Sequence, residues 1–280
     1  MDNKLKMFEI HLKEEEKSEN TIKKYLRDIN EFYQWFYVEG INHYEDVVTK
    51  DALLNYKEHL KKSKLKVTTI NSKIPSLNAF FIYTENETFK LKILKCQKSL
   101  FESKEKELTK NEFKRLYEAS KNNLKLKMVV ETIVKTGVRV SEICSITYES
   151  LRTGRAIVYN KGKMRTILIP RNLCLILKDY CKKEDINKGT IFVTRNDTPI
   201  DRKQIWQMMK TLADKAGVPR IKVFPHNLRH LFAKEFYKTT HDIVKLSNLL
   251  GHSSIETTRI YTKETEDECR EDLEKLNFVT

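Results

Sequence analysis

Apolar residues recur along the first third of the chain at helical spacing. Ile22, Tyr25, Leu26, Ile29, Phe32, Tyr33 and Phe36 follow an i, i+3, i+4, i+7 pattern, which predicts a helix with one buried stripe, capped at Asn20 and stopped at Gly40. Leu53, Leu54, Tyr56 and Leu60 predict a second helix starting at Lys50 or Asp51. Ile70, Ile74, Leu77, Phe80 and Phe81 predict a third from Thr68 or Thr69, with Pro75 as a local kink. The pattern then breaks. From Lys90 to Lys110 Lys and Glu crowd the chain with no periodic apolar face, which reads as a solvated linker.

Thr109 followed by Glu112 forms a capping box that opens a second region. Helices are expected over about 110–120 and 124–136, the latter closed by Gly137. One β signal follows: Ala156–Tyr159 and Thr166–Ile169 flank the turn residues Asn160-Lys161-Gly162-Lys163, a hairpin. Helices resume after Pro170, with Asp201 and Asp242 as caps. The expected fold is mainly α with a small β-hairpin: a helical amino-terminal domain over 1–95, a linker over 96–108 and an α+β domain over 109–280.

Composition narrows the partners. Among 280 residues, 53 Lys and Arg stand against 39 Asp and Glu, a net charge of +14. Most of the excess lies beyond residue 100. Such a balance favours a polyanion, because each basic contact to a phosphate releases a condensed counterion. No apolar run approaches the ~20 residues of a membrane span, and Met1-Asp2-Asn3-Lys4 lacks the apolar start of a secretion signal. Five cysteines, none in a C-x-x-C pair, read as reduced thiols in a cytoplasmic protein rather than a disulfide or zinc scaffold.

Several polar residues stand where the fold alone does not require them: Arg139 after Thr136-Gly137, with Glu142 close by; Lys161 at the hairpin tip; His226 and Arg229 in Pro225-His226-Asn227-Leu228-Arg229-His230; His252 after Gly251; and Tyr261. Each alone is also an ordinary structural residue: a surface ion pair, a solvated lysine, a helix cap, a core tyrosine. Together they supply two guanidiniums, a lysine, two histidines and a phenol, without the clustered carboxylates that hold Mg²⁺. That is a set for phosphoryl transfer without metal or other cofactor. Arginines clamp nonbridging phosphate oxygens and stabilise the transition state. A phenol, ordinarily titrating near ~10, attacks once a base takes its proton, and a lysine can protonate the leaving oxygen.

Thr136-Gly137-Val138-Arg139-Val140-Ser141-Glu142-Ile143 resembles the first arginine box of tyrosine recombinases. His226-Asn227-Leu228-Arg229-His230 resembles their H-x-x-R-H box, and Leu249-Leu250-Gly251-His252-Ser253-Ser254 with Thr257-Thr258-Arg259-Ile260-Tyr261 resembles their final histidine and nucleophile segment. The stretch Ser18–Asp28 further resembles the helical core-binding domain of Xer-like members. The resemblance implies that Arg139 and Arg229 bind the scissile phosphate and Lys161 acts as general acid toward the 5′ oxygen. It further implies that His226 assists proton removal, His252 hydrogen-bonds the phosphate, Glu142 supports the site, and Tyr261 forms a 3′-phosphotyrosine. Its expected partners are double-stranded core sites and a homo-tetramer, with a second recombinase or a directionality factor as additional partners. The stretch before Asn20 is too short for the extra amino-terminal domain of many integrases.

The hairpin Asn160-Lys161-Gly162-Lys163-Met164-Arg165 is a residue shorter than the usual G-K-G-x-K-x-R, which makes Lys163 the alternative general acid. The acidic tail from Glu264 to Glu274, with Leu273, Leu276 and Phe278, reads either as a solvated helix or as a segment docking on a neighbouring subunit. Three rival functions are a type IB topoisomerase, a non-catalytic DNA-binding protein and a metal hydrolase. The last would use His226 and His230, but Asn227 stands where a zincin helix needs Glu.

Overall fold

The computed structural model describes residues 2–38, 48–95, 107–160, 163–261, 270 and 273–275. The chain divides into two compact units, Met1–Lys98 and Ser99–Thr280.

The first unit is helical: α1 (Asp2–Glu14), α2 (Glu19–Val38), α3 (Lys50–Lys62) and α4 (Val67–Tyr83). The predicted stripe of α2 is buried at Ile22, Ile29, Phe32 and Phe36, against Leu53, Tyr56, Ile70, Ile74 and Phe80. Ser18 rather than Asn20 caps α2: its side chain accepts from Thr21 N at 3.3 Å, so the helix starts one residue before Asn20. The expected stop at Gly40 lies outside the described residues. Pro75 sits inside α4 without ending it. Two charged residues of this unit are buried among the described residues, Asp28 and Lys73, the latter paired with Glu31. Asp28, 1% exposed, accepts from Lys24 at 2.7 Å and from Ser76 at 2.8 Å.

The chain beyond Lys90 is not solvated at once, as composition suggested. Leu91 is buried, and Asn78 and Asn71 pair with the backbone N–H and C=O of Leu91 and Leu94. Two amides thus act as a short strand partner for this segment, a long-range pairing that residue composition does not reveal.

The second unit is built around α6 (Leu124–Thr136), whose Leu126, Met128, Val129, Val130 and Ile133 are buried on all sides. Such a helix belongs at the centre of a domain. It is preceded by α5 (Lys110–Ala119), opened by the expected Thr109–Glu112 capping box. After α7 (Ser150–Thr153), strands β1 (Arg155–Asn160) and β2 (Lys163–Leu168) pair antiparallel, and the ladder continues to Asn160↔Lys163, further than the four-residue tip anticipated. Then come α8 (Arg171–Lys183), α9 (Arg202–Lys215), α10 (Pro225–Thr240), α11 (Ile243–Leu250) and α12 (Ile255–Thr258). Asp201 and Asp242 cap α9 and α11 as predicted. Cys144, Cys174 and Cys181 are free thiols. No helix among the described residues is long and apolar enough to cross a membrane.

Candidate active site

Four separate elements of the second unit meet at the C-terminal end of α11. Gly251 closes that helix in the left-handed conformation, φ +62°, with Gly251 N donating to Asn248 O and His252 N to Ser247 O. Among the described residues the next three carbonyls have no backbone partner, and each takes a different arginine. Arg165 Nη1 donates to Leu249 O at 2.8 Å, Arg229 Nη2 to Leu250 O at 2.8 Å, and Arg139 Nη2 to Gly251 O at 3.1 Å. The negative end of the helix dipole favours cations there.

Local sequence explains how each arginine arrives. Arg139 follows the turn at Gly137, which ends α6 with φ +63° and opens the 3₁₀ turn Val140–Ser145. Arg229 is one turn into α10, which starts at Pro225, where the missing N–H is no loss. Arg165 points inward with Ile167 because alternate residues of β2 share a face, Met164 and Leu168 facing solvent. Sequence reasoning noted Arg165 only as part of the hairpin motif; the strand's alternation was the signal that could have marked it.

Glu142 is the one carboxylate of this cluster among the described residues. Only 3% exposed, it accepts from Arg139 N and Arg139 Nη1, each at 3.0 Å, and from Arg165 Nε and Nη2. Burial alone would raise its carboxyl, but the Arg165 and Arg139 hydrogen bonds hold it below the usual carboxylate range. Three guanidiniums against one carboxylate leave a net positive centre, a site suited to a phosphate.

Arg229 is 3% exposed and also donates to Gly137 O. Burial, then the charge of Arg139, push its guanidinium down to about 10, while the neighbouring Tyr261 phenol pulls the other way. Tyr261 is 2% exposed. Its ring stacks with His252 at 6.0 Å between centroids and meets the edge of His230 at 4.8 Å. His252 completes the cluster, its Nε2 lying 3.0 Å from Arg229 Nη2 and its Nδ1 2.8 Å from Thr258 Oγ1. Burial and the charges of Arg229, Arg139 and Arg165 depress its imidazole to about 4.

Of the predicted residues, Arg139, Glu142, Arg229, His252 and Tyr261 therefore converge. His226 lies one helical turn before His230 on the solvent side, stacked on Phe224 at 6.5 Å. Its imidazole is lowered by burial and by the neighbouring His230 and Arg229. It borders a cavity of about 450 Å³ with Val140, Arg202, Lys203 and Trp206. Of the two histidines of α10, His230 rather than His226 packs its ring on Tyr261. Lys161 lies outside the described residues, as does most of the acidic tail, and the side chain of Lys163 is likewise not described.

Residues 106–268 match the model of the phage integrase family, and residues 5–88 match the phage integrase N-terminal SAM-like domain. Tyrosine recombinase XerA of Pyrococcus furiosus is 31% identical over 98% of this chain and 94% of its own length. The crystal structure of a XerA recombinase superposes with a TM-score of 0.54 at 26% identity, covering 100% of this chain and 99% of that one. The lambda integrase (75–356) dimer bound to a COC′ core site shares the fold, with a TM-score of 0.72 at 19% identity over 95% of this chain and 96% of that one.

Proposed function

We infer that this chain, which belongs to the phage integrase family, is a tyrosine recombinase that cuts and rejoins DNA at specific sites. A topoisomerase or a non-catalytic binder is not favoured, since the relatives over nearly the whole chain are recombinases. The observation that carries the mechanistic reading is that, within one subunit, the Tyr261 ring stacks on His252, whose Nε2 meets Arg229, beside Arg139 at the same helix end.

In this reading Arg139 and Arg229 hold the nonbridging oxygens of the scissile phosphate, with His252 donating a further hydrogen bond. Tyr261 Oη attacks phosphorus, the bond to the 5′ oxygen breaks, and a 3′-phosphotyrosine forms. His226, neutral at neutral pH, assists removal of the phenol proton. Lys161 delivers a proton to the departing 5′ oxygen, with Lys163 as the alternative. Glu142 holds Arg139 in place. A 5′-hydroxyl of a partner strand then attacks the phosphotyrosine and restores Tyr261, so neither ATP nor metal enters the balance. Arginines held in place beforehand by backbone carbonyls and Glu142 need little reorganisation during the reaction, which is how such a site lowers a barrier.

Duplex DNA is the substrate. Arg202, Lys203 and the half-exposed Trp206, beside His226, offer a basic and aromatic face next to the site. We propose that the two domains, 1–95 and 109–280 about a 96–108 linker, clamp the duplex, and that four copies assemble on two core sites, with the tail reaching a neighbouring subunit.

The test is covalent capture. The full chain incubated with fragmented duplex DNA bearing strategically placed nicks should yield a denaturant-resistant protein–DNA adduct, and sequencing that DNA would return the core site. Tyr261→Phe should yield none. An adduct undiminished in Tyr261→Phe would show that another residue is the nucleophile.

A further inference from the structure

His252 is held at both ring nitrogens. Arg229 Nη2 lies 3.0 Å from Nε2, and Thr258 Oγ1 lies 2.8 Å from Nδ1. A guanidinium donates and cannot accept, so Nε2 is the bare nitrogen, and the ring proton sits on Nδ1 and points at the Thr258 hydroxyl. With its imidazole depressed to about 4, the ring is neutral at neutral pH. Donation to a phosphate oxygen, the role read for His252 above, needs the proton on Nε2 instead. Nδ1 is then bare and must accept.

Few side chains can pair with both forms. A carboxylate or a backbone carbonyl, the common partners of a buried histidine, accepts only and would lock the proton on Nδ1. A hydroxyl accepts from Nδ1–H in one form and turns its own O–H toward bare Nδ1 in the other. Thr258 is 0% exposed, so water cannot take over this role from it. It also sits three residues before Tyr261, whose ring stacks on His252, so the same short segment carries the nucleophile and the histidine's partner.

We propose that Thr258 is a positioning residue whose hydroxyl reverses its hydrogen bond when His252 exchanges Arg229 for a DNA phosphate. The neutral ring thereby becomes an Nε2 donor with no buried nitrogen left unpaired. The ring's proton count is unchanged: as Arg229 gives way, Nε2 takes a proton from water and the Nδ1 proton is lost to water before Thr258 closes on the bare nitrogen. This rests on the reading of His252 as a phosphate donor.

Nitrogen-15 NMR of the full chain with labelled histidine tests the exchange directly. The free protein at pH 7 should show His252 as the Nδ1–H form. Tyr261→Phe saturated with the captured duplex should show the neutral Nε2–H form. An Nε2–H ring in the free protein, or an imidazolium or retained Nδ1–H ring in the complex, would overturn the proposal. A kinetic cycle separates positioning from packing. Thr258→Ser should cleave within about threefold of the parent and Thr258→Val about tenfold or more slowly, the scale of a buried polar atom left unpaired. In the His252→Ala background, Thr258→Val should cost nothing further. Equal losses in both backgrounds would mean that Thr258 acts apart from His252. If His252→Ala alone cleaves at the parent rate, the phosphate-donor reading itself fails and the proposal falls with it; a slow His252→Ala with additive losses defeats the proposal alone.

Discussion

Arg165 donates through both Nε and Nη2 to the buried carboxylate of Glu142, tying strand β2 to the turn that carries Arg139. The side chains are 13% and 3% exposed, so removing either strands the other away from water. Arg165→Met or Glu142→Gln should lower the stability of the second unit by about 3 kcal/mol, the cost of breaking one partner of a buried pair. Urea unfolding followed by circular dichroism would measure it; a change within error would mean that water reaches the survivor.

The same pair sets an acid limit. Glu142 is held below its ordinary value in the fold, as is Asp28 in the first unit, where hydrogen bonds from Lys24 and Ser76 outweigh burial. A depressed carboxyl stabilises the fold fully above its unfolded value, roughly 4, and that contribution is lost as pH falls through the folded value. His252 acts earlier. Its folded value of about 4 lies below the unfolded imidazole near ~6.5. The unfolded chain therefore binds more protons between those values, and stability falls with pH across that window. Denaturation midpoints should be level above about pH 7, decline from 6.5 to 4 and drop further below. His252→Asn should shrink the upper decline, leaving the part due to His226, whose imidazole is also lowered in the fold, and should leave the lower one unchanged.

Gly251 cannot carry a side chain without disturbing the cluster. Its φ is +62°, and a Cβ there would stand 2.4 Å from Arg165 Cδ. Gly251→Ala should cost about 1–2 kcal/mol in backbone strain. It should also slow cleavage by about tenfold or more, because Arg165 must leave Leu249 O and Glu142. Single-turnover cleavage of the captured site would read the rate; an unaffected rate would show that Arg165 is dispensable for the arrangement.

DNA binding should be strongly salt-dependent. With a net charge of +14, the slope of log affinity against log salt should be steep and negative, each neutralised phosphate adding about −0.9. Exposed Arg202 contributes one such contact in this reading, so Arg202→Ala should make the slope shallower by about one. Fluorescence anisotropy on the captured duplex across salt concentrations checks both.

Chelation should leave cleavage unchanged, because the arginines and histidines supply the charge and the proton transfers. Loss of covalent adduct in EDTA, restored by a divalent ion, would contradict the metal-free reading.

Much was readable from short-range pattern. The α2 stripe, the Thr109–Glu112 box, the hairpin and the Asp201 and Asp242 caps depend on residues within a few positions of one another, and spacing reports them directly. That Arg139, Arg229, His252 and Tyr261 belong together was also legible, in the short motifs that carry the family resemblance. Local pattern erred where neighbours compete or distant groups intervene: Ser18 took the cap from Asn20, and Asn71 and Asn78 drew the segment after Lys90 onto the first unit.

The chain's own order thus determined the kinds of groups available and the helices and strands that bear them. Only the folded arrangement decided that Leu249, Leu250 and Gly251 each receive one arginine, across separations as large as 112 positions, and that Thr258 partners His252. The reason is physical: helix spacing and capping are set by contacts one turn long, whereas unpaired carbonyls at a helix end take whichever donors the packing of remote elements brings within reach.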